Sequence, residues 1–193
     1  MLIKLLKTLT KTLFILLLVL MLIGLTLPQN YSVNKSVLID AKVATVKSLV
    51  ADFSLWHLWS PWQKVDPTIT FSIGEPSRGI GAHQSWQNDW GHGEMTITSL
   101  TNNQMTFNAL LKNEHIIEGT ITFTKENGFV KVACNIKGQT TTPLVSGYLS
   151  LFSEYVLSNT VALGLNNLQT VAQLRDEKTQ LESYDSEISP SKN

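Results

Sequence analysis

Eight histidine and carboxylate side chains are the candidates for acid–base chemistry in this sequence. A general base must point at its substrate, so the phase of each candidate within its predicted strand matters. His83 is out of phase with the apolar Ala82 and Trp86, and Glu94 is out of phase with Met95. We therefore expect these two side chains on a polar strand face, and we assign no catalytic residue among the eight candidates: His57, His83, His92, His115, Asp52, Asp66, Glu94 and Glu118.

A metal site is the second chemical possibility. His83, His92 and Glu94 flank a predicted hairpin and offer nitrogen and oxygen atoms of the kind that zinc binds. Their spacing matches no recognised metal motif, and the sequence contains no nucleophile elbow, phosphate loop or dinucleotide fingerprint. The only cysteine, Cys134, shares the apolar phase of its strand and is interpreted as a small core residue. We expect neither a metal nor a cofactor.

Gln84 is the polar side chain most clearly in phase with an apolar strand face. It alternates with Ala82 and Trp86 in the first arm of a hairpin that Gly79, Gly81, Gly91 and Gly93 flank. An amide is not a general base, but it can hydrogen-bond a hydroxyl or carbonyl group of a ligand. Gln84 therefore indicates binding rather than catalysis.

The charge of the chain argues against a nucleic-acid partner. Fifteen basic and fifteen acidic residues cancel, and Lys and Arg do not cluster in the part that follows the N-terminal segment. Phosphate binding requires clustered positive charge, so no nucleic acid is expected.

The N-terminal segment predicts a membrane anchor. Residues 9–27 are almost all apolar, and at ~1.5 Å per residue they span about 28 Å, enough to cross a bilayer core. Lys4, Lys7 and Lys11 precede or begin this stretch, whereas the first charge after it is Lys35. The positive-inside rule then places the N-terminus in the cytoplasm and the rest on the outer side of the cytoplasmic membrane.

A cleaved signal peptide is the alternative for the same segment. Its uninterrupted apolar part, residues 13–23, has the length of a signal-peptide core. No Ala-x-Ala site follows it, and Pro28 lies close behind the best small pair, Gly24 and Thr26. We therefore predict an uncleaved anchor, with residues 1–28 forming the cytoplasmic N-terminus and the transmembrane segment.

Hydrophobic periodicity predicts the remaining elements. Alternation over residues 31–39 predicts a strand, and Asp40 is a candidate N-cap for a helix with an apolar stripe that ends at Phe53. Six more alternating segments predict an antiparallel meander, in which Asn127-Gly128 marks a tight hairpin. Apolar residues at three- and four-residue spacing over 149–172 predict a long final helix. The domain then covers residues 29–175, and the polar residues 176–193 are expected to be disordered.

Trp56, Trp59 and Trp62 lie within seven residues between the first helix and the meander. Pro61 pushes Ser60 out of the helical region, so a turn is expected here. The tryptophans either seal one end of the core or line the mouth of a cavity, and the sequence leaves both possibilities open.

The chain resembles the polyketide cyclase/dehydrase-like branch of the START/Bet v 1-like superfamily (SRPBCC) over residues 31–174. The residues that carry the resemblance are Trp56-x-x-Trp59-Ser60-Pro61-Trp62, Asp66-Pro67, Gly79-x-Gly81-Ala82 with Trp86, Gly91-x-Gly93-x-Met95-x-Ile97, Pro143-Leu144 before Leu151-Phe152, and Gly164-Leu165-x-x-Leu168. The resemblance implies an α+β helix-grip fold, in which about seven curved antiparallel strands surround a long C-terminal helix and leave a hydrophobic cavity between them. It does not imply one reaction, because a fold does not determine chemistry.

From the resemblance and the residue phases we expect a membrane-anchored domain that binds an apolar small molecule or lipid between the sheet and the last helix. The alternatives are a cyclase- or hydrolase-type enzyme acting on an apolar substrate, and a non-catalytic interaction module of the cell envelope. The sequence does not predict an oligomeric state. The expected ligand-binding residues are Trp62, Gln84, Trp86, Met95, Phe107, Ile121, Val161 and Leu165.

Overall fold

The computed structural model of the chain describes residues 1–111 and 115–188. In chain order the elements are α1 Leu2–Thr26, β1 Asn30–Ile39, α2 Val43–Val50, a 3-10 helix Phe53–Leu58, α3 Trp62–Val65, β2 Thr70–Ile73, β3 His83–Asn88, β4 Gly91–Leu100, β5 Gln104–Leu111, β6 His115–Glu126, β7 Phe129–Gln139 and α4 Ser146–Ile188.

The strands form one seven-stranded antiparallel sheet in the order β1-β7-β6-β5-β4-β3-β2. Strands β2 to β7 are a meander, and β1 closes the order by pairing with the last strand. The predicted β6–β7 hairpin is present, since Asn127 and Gly128 take the positive φ angles of 52° and 89° that a tight turn needs. With the long helix α4, this is the helix-grip fold, so the predicted fold class is confirmed.

Two glycines within strands make room for aromatic rings from the neighbouring strand. Phe107 on β5 pairs with Gly119 on β6, and Trp86 on β3 pairs with Gly93 on β4. A Cβ atom on either glycine would overlap the ring opposite it. The glycines therefore let large rings lie flat against the inner face of the sheet.

Helix α4 packs along β1 and against the tryptophan-rich segment. Leu165, Leu168 and Ala172 are buried on one face of the helix. Gln169 Nε2 donates a hydrogen bond to the carbonyl oxygen of Leu38 at 2.7 Å. A Cβ atom on Gly164 would lie 3.2 Å from Cδ of Pro61 and 3.7 Å from the Trp59 ring, so this glycine permits close contact with the tryptophan-rich segment.

The first helix of the domain differs from the prediction at both ends. Strand β1 stays paired up to Ile39, so the chain needs two more residues to turn, and the N-cap of α2 is Lys42 rather than Asp40. The helix ends at Val50, and Phe53 begins the 3-10 helix instead. That helix has a carboxylate cap, because Oδ1 of Asp52 accepts a hydrogen bond from the Ser54 amide at 2.9 Å.

Helix α4 also continues to Ile188, beyond the expected end of the domain at residue 175. The stretch after Arg175 is rich in Glu, Lys, Gln and Leu, which are strong helix formers. Asp176 is buried and accepts hydrogen bonds from Thr45 Oγ1 at 2.7 Å and Gln180 Nε2 at 3.1 Å. The structure gives residues 176–188 as the last turns of α4, and residues 189–193 of the expected tail lie outside the described residues.

One helix in the described part of the chain is long and apolar enough to cross a membrane. It covers Ile3–Thr26 within α1. Its large apolar side chains from Ile3 to Leu25 are exposed, with the residues of the domain covering little of them. The apolar N-terminal helix expected from the sequence is present.

Candidate functional site: a cavity beside Gln84

A cavity of about 220 Å³ lies between the 3-10 helix and α3 on one side and strands β2 and β3 on the other. Buried side chains form its floor, whereas exposed ones such as His57, Gln63 and Ile73 form its rim. It is therefore a pocket with an apolar base and a mixed, accessible opening. The lining residues are Phe53, Trp56, His57, Ser60, Gln63, Phe71, Ile73 and Gln84.

The tryptophan-rich segment is fixed by hydrogen bonds to the end of α2. The indole nitrogens of Trp56 and Trp59 donate to the carbonyl oxygens of Val50 and Leu49, at 2.9 and 3.1 Å. Carbonyl groups in the last turn of a helix have no partner within the helix, so these bonds satisfy them. Both tryptophans are 8% exposed and their ring centroids are 4.9 Å apart. Trp56 and Trp59 are therefore part of the core, which agrees with the interpretation that the tryptophans seal one end of it. Trp56 also lines the cavity, which agrees with the other interpretation.

Gln84 supplies the buried polar group of the cavity. Its side chain is 3% exposed. Among the described residues its only hydrogen-bond partner is the sulfur of Met95, 4.0 Å from Nε2, and sulfur is a weak acceptor. The amide also lines the cavity, so its remaining hydrogen-bonding capacity faces that space. Gln84 is thus an amide that a bound molecule could satisfy.

Asp66 fastens α3 to the hairpin that carries Gln84. Its Oδ1 accepts hydrogen bonds from the Thr68 amide and hydroxyl at 2.9 and 2.6 Å, and its Oδ2 accepts one from Asn88 Nδ2 at 2.8 Å. These bonds, above all the one from the Thr68 hydroxyl, lower the pKa of Asp66. A carboxylate held in its charged form is a poor proton donor, so the role of Asp66 is to position the α3 wall of the cavity.

The other acid–base candidates lie mainly at the surface. His83, His92, Glu94 and Glu118 are exposed, and His115 begins β6 with a side chain outside those described. His57 is on the cavity rim, with Nδ1 2.7 Å from the carbonyl oxygen of Ser54, to which it donates. Among the described residues no group of three His, Cys, Asp or Glu side chains could hold a metal ion.

Cys134 is buried on β7 among core side chains. Burial raises the pKa of its thiol to about 12. The thiolate is the reactive form, so at neutral pH this cysteine is an inert core residue.

The structure divides the expected ligand-binding residues into two groups. Gln84 lines the cavity, with Met95 paired across the strand and half-buried Trp86 two residues further along β3. Trp62 is half-buried on α3 but is not a lining residue. The remaining residues belong to the packed core or pack against it, and they do not line the cavity: Phe107, Ile121, Val161 and Leu165.

Sequence reasoning missed most of the lining residues. Phe71 and Ile73 on β2 pair with Trp86 and Gln84 on β3, so the hairpin register alone could have placed them beside Gln84. Phe53, His57, Ser60 and Gln63 have no such signal. They reach the cavity because a 3-10 helix and one turn of α-helix follow α2, a succession that hydrophobic periodicity does not predict.

Comparison with known proteins identifies the fold but not a family by sequence. No family model matches the chain, and no curated protein matches it at a significant level.

Solved structures match it across most of its length. Protein CV1439 from Chromobacterium violaceum has a TM-score of 0.57 and 9% identity, with 74% of this chain and 98% of that chain covered. TTHA0849 from Thermus thermophilus has a TM-score of 0.54 and 16% identity, with 72% and 94% covered. The di-domain ARO/CYC StfQ from the steffimycin biosynthetic pathway has a TM-score of 0.58 and 10% identity, with 76% of this chain and 52% of that chain covered.

Because these identities are low, the matches bear on architecture alone. The expected resemblance to polyketide cyclase-like proteins is therefore confirmed at that level: the domain has the helix-grip fold of ARO/CYC proteins and carries an apolar helix at its N-terminus.

Proposed function

We propose that this protein is a membrane-anchored domain that binds a small apolar molecule with one polar group in the cavity beside Gln84. The observation that carries the proposal is the amide of Gln84, which is buried with Phe53 and Trp56 at the base of the cavity and has only the Met95 sulfur as a hydrogen-bond partner among the described residues. Small-molecule sites usually combine apolar walls with a few polar groups that fix the orientation of the ligand.

The volume of the cavity limits the size of the ligand. A cavity of about 150 Å³ in another protein holds benzene. The 220 Å³ beside Gln84 therefore suits a single ring with a short substituent, or one end of a longer molecule. A whole lipid chain is too large for this cavity, so we propose a smaller ligand than the sequence suggested. We also propose a different position, between the 3-10 helix, α3 and strands β2 and β3 rather than between the sheet and α4.

The binding test uses the full chain in lipid nanodiscs and two fluorinated probes, 4-fluorophenol and 4-fluorotoluene. We expect Gln84→Leu to weaken fluorophenol binding roughly 3- to 10-fold, the value of one hydrogen bond, and to leave fluorotoluene binding unchanged or tighter. Fluorine NMR titration measures both affinities, with empty nanodiscs correcting for partition into lipid.

Gln87→Leu is the matched control. Gln87 lies on the same strand, three residues away and exposed on the opposite face. It should leave both affinities as in the parent chain. Equal fluorophenol affinities in the parent and Gln84→Leu would remove Gln84 from the site and overturn the proposal.

The proposed anchor is α1, with its N-terminus in the cytoplasm and the domain on the outer side of the membrane. Lys4, Lys7 and Lys11 on the first three turns support this orientation. We expect protein extracted from membranes to retain residues 1–28 by intact mass, and the domain to be digested by protease added only from the outer side. A mature chain that starts near Leu27, or release into the soluble fraction, contradicts the anchor.

A further inference from the structure

The beginning of α4 and the turn before it expose an unusual number of apolar side chains. Six of them have exposures between 39% and 70%. Contiguous apolar surface of this kind marks an interaction site on most proteins. We call these residues the α4 patch: Leu144, Val145, Leu149, Leu151, Phe152 and Tyr155.

The α4 patch begins where α4 contacts the apolar helix α1. Tyr148 Oη donates a hydrogen bond to the carbonyl oxygen of Leu20 at 2.7 Å. Gly24 and Gly147 allow the two backbones to approach, since a Cβ on Gly147 would lie 2.7 Å from the carbonyl oxygen of Gly24. Leu20 is six residues before Thr26, the end of the candidate membrane span, which is ~9 Å along the helix axis. The first turn of α4 therefore lies beside apolar turns of α1 rather than beyond them.

The sequence around the patch lacks charge. Residues 138–153 contain no Asp, Glu, Lys, Arg or His, and their polar groups are hydroxyls and one amide. Charged side chains are the ones that oppose entry into a bilayer, whereas hydroxyls and aromatic rings are tolerated at its interface. Tyr148 and Tyr155 are of the type enriched at that level.

Two further exposed apolar side chains lie at the end of the sheet where β7 leads into α4. The β3–β4 turn carries Trp90, which is 80% exposed, and Ile116, near the start of β6, is 61% exposed. The strand pairing places Ile116 beside the end of β7, from which the chain passes to α4, and places Trp90 at the same end of the sheet, with β5 and β6 between β4 and β7. Across the ladder from β1 to β3 this edge spans ~24 Å at the usual strand spacing. Tryptophan is the residue most typical of the membrane interface.

We propose that residues 143–153 insert into the interface of the outer leaflet of the bilayer that α1 crosses, with Glu154 and Tyr155 at the headgroup level, and that Trp90 touches the same lipid surface. This inference rests on the proposed anchor. The domain then stands with one edge of its sheet against the membrane, held at two points. A tethered domain with a single contact would instead rotate freely about residues 27–30.

The test places a fluorophore at single positions of the full chain in liposomes. A Cys134→Ala background receives Phe152→Cys or Trp90→Cys, and each cysteine is labelled with a polarity-sensitive dye. We expect blue-shifted emission at Phe152 and a loss of emission when the lipids carry doxyl quenchers, with a smaller loss at Trp90.

Two exposed leucine or isoleucine sites serve as matched controls. Leu181 is on the same helix, 29 residues beyond Phe152 and so ~44 Å away, and Ile80 precedes β3 at the opposite edge of the sheet. They are 66% and 64% exposed. Labels at Leu181→Cys and Ile80→Cys should keep water-like emission without quenching by lipid.

A label at Leu16→Cys, in the middle of α1, separates the two proposals. Quenching at Leu16 together with water-like emission at Phe152 would support the anchor but overturn the membrane contact of α4. The α4 patch would then be a surface for a protein partner. Absence of quenching at Leu16 overturns the anchor and the docking together. Quenching at both sites, with none at Leu181 or Ile80, establishes the second contact.

Discussion

Replacing Leu165 by alanine is expected to lower the free energy of unfolding by about 2–5 kcal/mol. Leu165 is 4% exposed in the middle of α4 and belongs to the core cluster with Trp59 and Leu168. It does not line the cavity beside Gln84. Its truncation should therefore leave a void that the neighbouring side chains fill only in part.

Leu163→Ala is the control for this change, since it alters the same residue type on the same helix. Leu163 is 42% exposed, so its truncation should change stability by no more than about 0.5 kcal/mol. Denaturant titration of the detergent-solubilised full chain, followed by tryptophan fluorescence, compares the two variants with the parent. A loss at Leu165 no larger than at Leu163 would show that Leu165 borders open space and would return the ligand site to the sheet–α4 interface.

Most of the sheet was predictable because its longer strands have one face in the core. Alternation along β5, β6 and β7 predicts the buried residues, and Asn127-Gly128 predicts the turn that joins the last two strands. A one-residue error of register would expose every one of these side chains, so the pattern is strongly constrained. The same phase argument predicted the inward orientation of Gln84, which is 3% exposed.

The position of the cavity was not predictable in the same way. The alternation of apolar and polar residues predicts which face of the sheet a side chain occupies. It does not predict whether that side chain borders a cavity or packs against other side chains. Phe107 and Leu165 were expected at a ligand site, and both are enclosed by core neighbours. The cavity instead lies where the 3-10 helix and α3 pack beside strands β2 and β3, and Asp66, which follows α3, bonds to Asn88 at the end of β3.

The aromatic–glycine pairs explain why the centre of the sheet is filled. The ring of Phe107 occupies the space that a side chain at position 119 would need, and Phe107 is only 4% exposed. Its neighbours therefore prevent the ring from moving aside easily. In a strand with free space over the position, alanine is favoured over glycine by about 0.5–1 kcal/mol. The ring of Phe107 reverses this preference at position 119.

We accordingly expect Gly119→Ala to destabilise the domain by about 1–3 kcal/mol, the usual range for overpacking a core. In a Phe107→Leu background the ring is absent, and the same change should be clearly less destabilising or should stabilise the domain. Denaturant titration of the parent, the two single variants and the double variant gives the coupling energy between the two sites, expected between about 0.5 and 3 kcal/mol. Equal losses for Gly119→Ala in both backgrounds would mean that the ring of Phe107 does not fill the space over Gly119, and the inner face of the sheet would then have room for a ligand where the structure shows packed side chains.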